Sequence, residues 1–439
     1  MAMRSPTFTS LGGGDEIGAS AHLYRFPAPR HPNGSINVLV DDGVRPRDRS
    51  RPNFEGVSHI DHVLLTHAHD DHIGDAPHTF IERPNAKFYM TQPGTELSRT
   101  GWDESARNME RAEENEGIPA LFKSHHVDAL VKNMRIITPW RRIELAEGLS
   151  VLPIHPGHLL GACSFLFDYQ NGKNTILHTG DFSTHDQILI PGADTLKLRR
   201  GVDAIVSEST YLGSPSPDRE KEKKSFLEAI LAVLARNGVV LVPCFKMQRI
   251  QEVWEILIRA GIPRHLIVFD GNAEGIFDIF SRYTNITMPA RNQFIRSHHE
   301  RARRIRGGGP LVVLAHGGMI QERSPAFRCL KMVADDERNG VVANGYMDPC
   351  TPGGELFEHV HHHRGDTITL GDMEFTLHCS FEKVSLSAHA GGEEIEELVA
   401  SARDQVIFVH GEKRRVKKHL GTGAIPNALF PPNRKEVVL

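Results

Sequence analysis

Cysteine is scarce in this sequence and never paired by spacing. Cys163, Cys244, Cys329, Cys350 and Cys379 stand singly among 439 residues. An odd number without a CxxC step argues against both a disulfide framework and a thiolate zinc site. Long apolar runs are missing as well, none approaching the roughly 20 residues that cross a bilayer. The opening MAMRSPTFTSLGGGDEIG has no long apolar stretch before its glycines, so no signal peptide is expected. The expected compartment is the cytoplasm, with no membrane partner. A dominant charge is absent too. Lys+Arg number 51 against 55 Asp+Glu, a formal net charge of -4. Such a balance neither supports nor excludes nucleic-acid binding, because local basic stripes can coexist with it.

What is present is an ordinary soluble composition, 39% hydrophobic and 24% charged, on a chain long enough for two domains. The unusual count is 26 histidines. Some are plain. The run HVHHH, His359 to His363, has no ligand-like partner of another type nearby and reads as solvated surface or loop, with a metal or substrate element as the alternative.

Short strand-like segments dominate the first 80 residues: AHLYRF, INVLVDDG and HVLLTHAH. RTGWDESARNMERAEENEG then reads as a polar helix ending near Gly117. MRIITP, LSVLPIH, CSFLFDY, NTILHTGD and DAIVSEST read as further strands. After Tyr211 the pattern changes. DREKEKKSFLEAILAVLARNG places Phe226, Ile230, Leu231 and Leu234 at helical spacing before Gly238, and VVLVPC, QRIQEVWEILIRAG and HLIVFDG follow. Strand, helix and strand in that order predict βαβ units on a parallel sheet. The chain returns to strands from DTITLGDMEF, makes a helix in GGEEIEELVASA and a buried-looking strand in QVIFVHG, and from about Gly421 reads as an irregular tail.

The chemistry concentrates in THAHDDH, where His67, His69, Asp71 and His72 follow an apolar lead-in. Imidazole and carboxylate suit divalent metals, with Zn²⁺ the first choice and Mn²⁺ or Fe alternatives. The set exceeds what one tetrahedral ion needs if distant ligands contribute. It points to two ions about 3.5–4 Å apart sharing a bridging hydroxide, a device for hydrolysing phosphate esters or acyl groups. Distant candidates share the strand-end setting. PIHPGHLLGA offers His155 and His158, and His158 is preferred because Gly157 and Gly161 let backbones approach closely. ILHTGDFS offers Asp181, a carboxylate able to bridge two ions, with His178 read as a packing or outer residue. VIFVHGE offers His410.

In this order LVDDG, LTHAHDDHIG, HPGHLLGA, LHTGDFS and FVHGE resemble the metallo-β-lactamase-fold hydrolases. SESTYL, PCFKMQRIQE and SLSAHAGGEEIEEL resemble the signatures of the β-CASP branch, nucleases such as the bacterial and archaeal relatives of the pre-mRNA 3′-end cleavage endonuclease. The resemblance covers residues 8 to 420. It implies an α/β fold, a four-layered αββα domain over 1–208 completed by 375–420, interrupted by an α/β β-CASP domain over 209–374 and followed by a tail over 421–439. The active site is expected between the domains.

Carried over residue by residue, the resemblance implies one zinc on His67, His69 and His158 and a second on Asp71, His72 and His410, bridged by Asp181. Asp41 would orient ligand histidines and raise their basicity. Glu208 would hold His389, which would protonate the leaving oxygen, and Asp71 joins these two as a catalytic residue. The glycines and acidic helix start after His389 suggest an exposed place at a helix N-terminus, an end that also suits phosphate. Ser387 and Arg249 are candidate phosphate contacts, Arg249 alternatively pairing with Glu252. HGGMIQERS resembles the family's cleft segment, with backbone contact expected at Gly318 rather than chemistry from His316.

Three positions depart from the family pattern. Gly391 stands where a carboxylate is usual, Leu212 interposes before Gly213, and QERS replaces a glycine pair. The implied activity is metal-dependent hydrolysis of RNA phosphodiesters, endo- or 5′–3′ exonucleolytic. The alternatives are a phosphodiesterase or other small-molecule hydrolase of the same fold, or a mainly RNA-binding relative. The histidine of VHGE favours RNA over DNA. With no terminal RNA-binding module or long basic arm in view, grip on single-stranded RNA is expected from the cleft or from a homodimer partner.

Overall fold

The computed structural model describes residues 5–193, 202–345, 347–360, 365, 367–371 and 373–439. Within the run His359–His363, residues 361–363 lie outside the described residues. The chain forms two compact units, Met1–Ser216 with Ala388–Leu439, and Pro217–Ser387.

The first unit is a four-layered αββα fold built on two seven-stranded mixed sheets. One runs, in spatial order, Glu436–Val438, Thr7–Gly12, Ala21–Pro27, Ser35–Val40, His62–Leu64, Lys87–Thr91 and Arg135–Ile137. The other runs Ala428–Leu429, Gln405–Val409, Ala204–Glu208, Asn174–His178, Ser164–Tyr169, Leu149–Ile154 and Ile143–Ala146. Alternation along the strands decides which side chains go where. Ile176, Val206 and Ile407 join Phe8, Tyr24, Val38 and Phe167 in the core between the sheets. Their neighbours Leu177, Ile205 and Phe408 point to the opposite face, against Ile395, Leu398 and Val399 of the helix Gly392–Val399 and Val416 of the helix Lys413–Leu420. Both faces of these parallel strands are buried, which is why their sequences read as continuous apolar runs.

Two expectations for this unit are corrected. The helix expected from Arg99 begins at Gln92, where Thr91 caps it through the Gly94 N–H and a proline occupies its first turn. It ends as expected at Gly117, which adopts φ 70°. The tail is not irregular: Ala428–Leu429 pairs with Gln405–Val409, and Glu436–Val438 pairs with Thr7–Gly12. Each sheet thereby gains an edge strand from the last twelve residues. These strands are too short, and too rich in neighbouring proline and asparagine, to register as periodic sequence.

The second unit carries the expected βαβ pattern. Its six-stranded sheet is parallel throughout, in the order Phe294–Ile295, Ile267–Asp270, Leu311–His316, Val239–Cys244, Gly340–Ala343 and Ser380–Lys383. The helix Arg219–Ala235 buries Phe226, Ile230 and Val233, whereas Leu231 is 51% exposed. Positions 226, 230 and 233 form the stripe, and residue 231 lies a hundred degrees round the helix from 230.

A candidate two-metal centre

The candidate residues sit where parallel strands end. Asp41 follows Ser35–Val40 and His67 lies three residues beyond His62–Leu64. Asp181, Glu208 and His410 are delivered side by side by Asn174–His178, Ala204–Glu208 and Gln405–Val409. Asp41 and His410 take left-handed backbone, φ 63° and 51°. That conformation costs a non-glycine residue on the order of 1 kcal/mol and persists where the surroundings hold it. Here the His410 N–H is fixed to the Gly13 carbonyl at 2.8 Å, and the Asp41 N–H to Leu64.

Two groups of ligand-type atoms result: His67, His69, His158 and Asp181, and Asp71, His72 and His410. His67 Nε2 is 3.0 Å from His69 Nδ1, which is 3.3 Å from His158 Nε2. A tetrahedral zinc bound at about 2.0–2.1 Å holds its nitrogen ligands about 3.3 Å apart, so the spacing matches. Asp181 Oδ2 lies 3.5 Å from His67 Nε2, 3.4 Å from His72 Nε2 and 3.7 Å from His158 Nε2, and its Oδ1 is 3.6 Å from His410 Nδ1. This carboxylate faces both groups.

Hydrogen bonding fixes which nitrogens point inward with a lone pair. Asp41 accepts from the Thr66 N–H at 2.7 Å and the Thr66 hydroxyl at 2.8 Å, and contacts His72 Nδ1 at 2.7 Å. A carboxylate only accepts, so His72 carries its proton on Nδ1 and turns Nε2 inward. The Thr66 hydrogen is spent on Asp41. Its oxygen therefore accepts from His67 Nδ1, 2.9 Å away, which turns His67 Nε2 inward. His158 Nδ1 donates to the Ala388 carbonyl at 2.8 Å with the same result. Inside the cluster, His72 Nε2 and Asp181 Oδ1 are buried without hydrogen-bond partners. Converging lone pairs, a carboxylate and orphaned buried atoms fit divalent cations.

The electrostatics agree. Burial keeps His67 and His158 well below the usual imidazole range and His69 down at about 4, so these rings are neutral and ligand-ready. His72 moves up despite its burial, because Asp181, Asp71 and Asp41 surround it. The carboxylates that draw a proton to this ring also draw a cation.

His389 lies beside the cluster, its Nε2 3.9 Å from Asp181 Oδ2, and its Nδ1 meets Glu208 at 2.9 and 3.1 Å. Glu208 is itself anchored by the Phe182 N–H at 2.8 Å. Burial works against charge on His389, but Glu208 and Asp181 outweigh it and raise the ring to about 9. The expected exposed setting is corrected: the side chain is only 19% exposed. The following helix does not offer all its N–H groups either, since Gly391 N–H donates to Glu394 Oε2 at 2.6 Å. A Cβ on Gly391 would lie 1.9 Å from Ser216 Oγ, so Ser216 fills the place a carboxylate would need.

Other candidates fall elsewhere. Gly157 and Gly161 flank His158 at φ 74° and 79°, where a Cβ would strike Ser183 O and Gly94 N. His155 accepts from Gly157 N–H and joins neither ligand group. His178 packs in the core, 2.8 Å from the Tyr24 hydroxyl. Arg249, Gly318 and Ser387 belong to the second unit. Arg249 is buried, and Glu252 lies 3.6 Å from Arg219. Gly318 packs on Phe245, and the Ser387 carbonyl accepts from Arg219 at 2.8 Å. Sequence reading missed Thr66 and Thr210, the latter 3.2 Å from His410 Nδ1. Each is adjacent to a quoted motif residue, which is the signal that was there. A further group, His31, His59 and Asp61, has different wiring. Asn33 N–H donates to His31 Nδ1, which leaves the ring proton on Nε2, 3.4 Å from Asp61 Oδ1, so no lone pair of this ring joins the carboxylate.

Comparison with known proteins fits this geometry. Residues 33–243 match the family model described as the metallo-beta-lactamase superfamily, and residues 375–420 match the Zn-dependent metallo-hydrolase RNA specificity domain. The chain belongs to the metallo-beta-lactamase superfamily, in its β-CASP branch. It is thus a metal-dependent hydrolase of that family. It is similar to Probable RNase MJ4 of Methanocaldococcus jannaschii, 27% identical over 86% of this chain and 88% of that one. RNase aCSPSF2 of Saccharolobus solfataricus is 26% identical over 98% of this chain and 84% of its own length. Cleavage and polyadenylation specificity factor subunit 3 of Dictyostelium discoideum is 26% identical over 98% of this chain, which spans 57% of that longer protein. A crystal structure of a protein of unknown function from Enterococcus faecalis V583 superposes with TM-score 0.60 at 13% identity, covering 99% of this chain and all of that one, and so shares this metallo-beta-lactamase fold. No helix among the described residues is long and apolar enough to cross a membrane.

Proposed function

We propose that the chain is a zinc-dependent ribonuclease that hydrolyses phosphodiester bonds of single-stranded RNA, as an endonuclease, a 5′–3′ exonuclease or both. The observation that carries this reading is one buried centre combining a His/Asp ligand set with a carboxylate-held imidazole. The match to an RNA specificity domain and the ribonuclease names of the relatives support RNA as the substrate. Five free cysteines, four of them buried, suit a reducing cytoplasm.

His67, His69 and His158 would hold one ion and Asp71, His72 and His410 the other, with Asp181 shared. When bound, the ions supply activation of the attacking water and neutralisation of phosphate charge. The protein's own groups do the rest. Asp41 and Thr66 hold the inward tautomers of His72 and His67. Glu208 keeps the Nδ1 proton of His389, so Nε2 is the atom that gives a proton to the leaving oxygen as the P–O bond breaks and the water oxygen joins phosphorus.

The test is incubation of metal-quantified protein with end-labelled single-stranded RNA and DNA, alongside His69→Ala and a chelator. Cleavage of RNA that both controls abolish is the expected result. Protein that cuts neither polymer across a range of Zn²⁺ and Mn²⁺ but opens small phosphodiesters would show the substrate assignment to be wrong. Product lengths separate internal cutting from end-directed trimming.

A further inference from the structure

The helix Lys413–Leu420, KRRVKKHL, starts three residues after His410 and carries five Lys/Arg and no acidic residue. Its buried side is accounted for. Val416 is fully buried in the core below the sheet, with Leu420 packed at its edge. Glu412 caps the helix by accepting from Arg414 N–H and Arg415 N–H at 2.8 Å. Three polar side chains are also occupied. Lys413 pairs with Asp15 at 2.5 Å, and His419 pairs with Glu396 at 3.1 Å. The Arg415 guanidinium donates to the carbonyls of Leu212 and Thr210.

Arg414, Lys417 and Lys418 are left. All three are exposed, and none has a carboxylate partner among the described residues. They are three and four residues apart, so they share one face of the helix, where like charges at these spacings destabilise by roughly 0.2–0.5 kcal/mol per pair. Lys417 and Lys418 at least suit the negative end of the helix dipole. Arg414 stands in the first turn, where the dipole opposes a cation. The dipole thus favours two of these cations and opposes the third, and a polyanion would relieve the repulsion among all three. The face is also fixed to the metal centre. Arg415 holds the Thr210 carbonyl, and the Thr210 hydroxyl lies 3.2 Å from His410 Nδ1.

We propose that Arg414, Lys417 and Lys418 form a track for the phosphate backbone of single-stranded RNA running to or from the metal centre. This rests on the ribonuclease reading above. The occupant follows from charge complementarity: three cations without a carboxylate partner among the described residues, spread over ~6 Å of helix, suit successive backbone phosphates better than a single small anion. The contacts read no base, so they act on every sequence alike.

The test compares the full chain with an Arg414→Gln/Lys417→Gln/Lys418→Gln variant, both with bound metal and with His389→Ala to prevent cleavage. Binding of a labelled single-stranded RNA is followed by anisotropy over a range of salt. Loss of three phosphate contacts should lower the slope of log K against log salt by about 2, and Arg414→Gln alone by about 0.7. Without His389→Ala, the triple variant should open a small aryl phosphodiester at the wild-type rate. That readout reports folding and an intact centre independently of RNA. Wild-type binding with an unchanged slope in the variant would overturn the track and leave the ribonuclease reading standing. Failure of the wild-type chain itself to bind RNA would overturn both.

Discussion

Both carboxylate oxygens of Glu208 lie within reach of one nitrogen, His389 Nδ1, at 2.9 and 3.1 Å. The pairing commits one ring proton to Glu208 and leaves Nε2 as the exchangeable donor. Replacing His389 with alanine should slow RNA cleavage by roughly 10²–10⁴-fold, the usual worth of a positioned general acid. An aryl phosphodiester has a leaving group that departs without a proton, so its hydrolysis should fall far less. Equal losses on both substrates would instead assign His389 to holding the centre together.

Asp41 acts at one remove. It fixes His72 directly and His67 through the Thr66 hydroxyl. Asp41→Asn should weaken metal affinity by about 10–100-fold. Competition against a chromogenic chelator measures this, and circular dichroism should show a retained fold. An unchanged affinity would mean the tautomers are held by other contacts.

Gly391 is explained by space. An aspartate there meets Ser216 Oγ and Cα, so Gly391→Asp should destabilise the chain by about 1–3 kcal/mol through overpacking. Adding Ser216→Gly should recover much of the loss, giving a coupling above roughly 0.5 kcal/mol in a double-mutant cycle of thermal or denaturant unfolding. Strict additivity would show that the two residues do not compete for the same volume.

His62 supplies a pH dependence away from the candidate metal centre. It is buried with Nδ1 3.1 Å from the Tyr89 hydroxyl, and burial, helped by Lys87, lowers its pKa to about 4. In the unfolded chain a histidine titrates near 6.5, so between these values the unfolded state binds the additional proton. The His62 contribution is present above about pH 6.5 and is lost as pH falls towards 4. His62→Gln should therefore show a shallower fall of Tm across that window than the wild-type chain. Parallel curves would place the titration elsewhere.

Much of the His/Asp cluster was legible because its chemistry sits next to strong local signals. THAHDDH, HTGD and VHGE each follow an apolar strand, and strand ends are where polar residues can converge. The supporting hydrogen bonds were not legible, because their partners come from distant segments: Asp41 to Thr66 spans 25 residues and His158 to Ala388 spans 230. The basic run KRRVKK could be read directly, but its meaning depends on which cations are already paired, and only the fold decides that. Ser216 opposite Gly391 has no local signature at all. The closing strands escaped because two- and three-residue strands are stabilised by the neighbour they pair with rather than by their own propensity.

The pairing of Glu436–Val438 with Thr7–Gly12, and of Asp71 with His410 across 339 residues, has a consequence for the order of events during synthesis. The segment Pro217–Ser387 is continuous and holds its own sheet and core, so it can fold as soon as it emerges. The first unit must wait. A nascent chain carries His67 to His72 well before His389 and His410, which emerge only after Pro217–Ser387. The candidate centre is therefore complete only after the segment that interrupts its unit has been made.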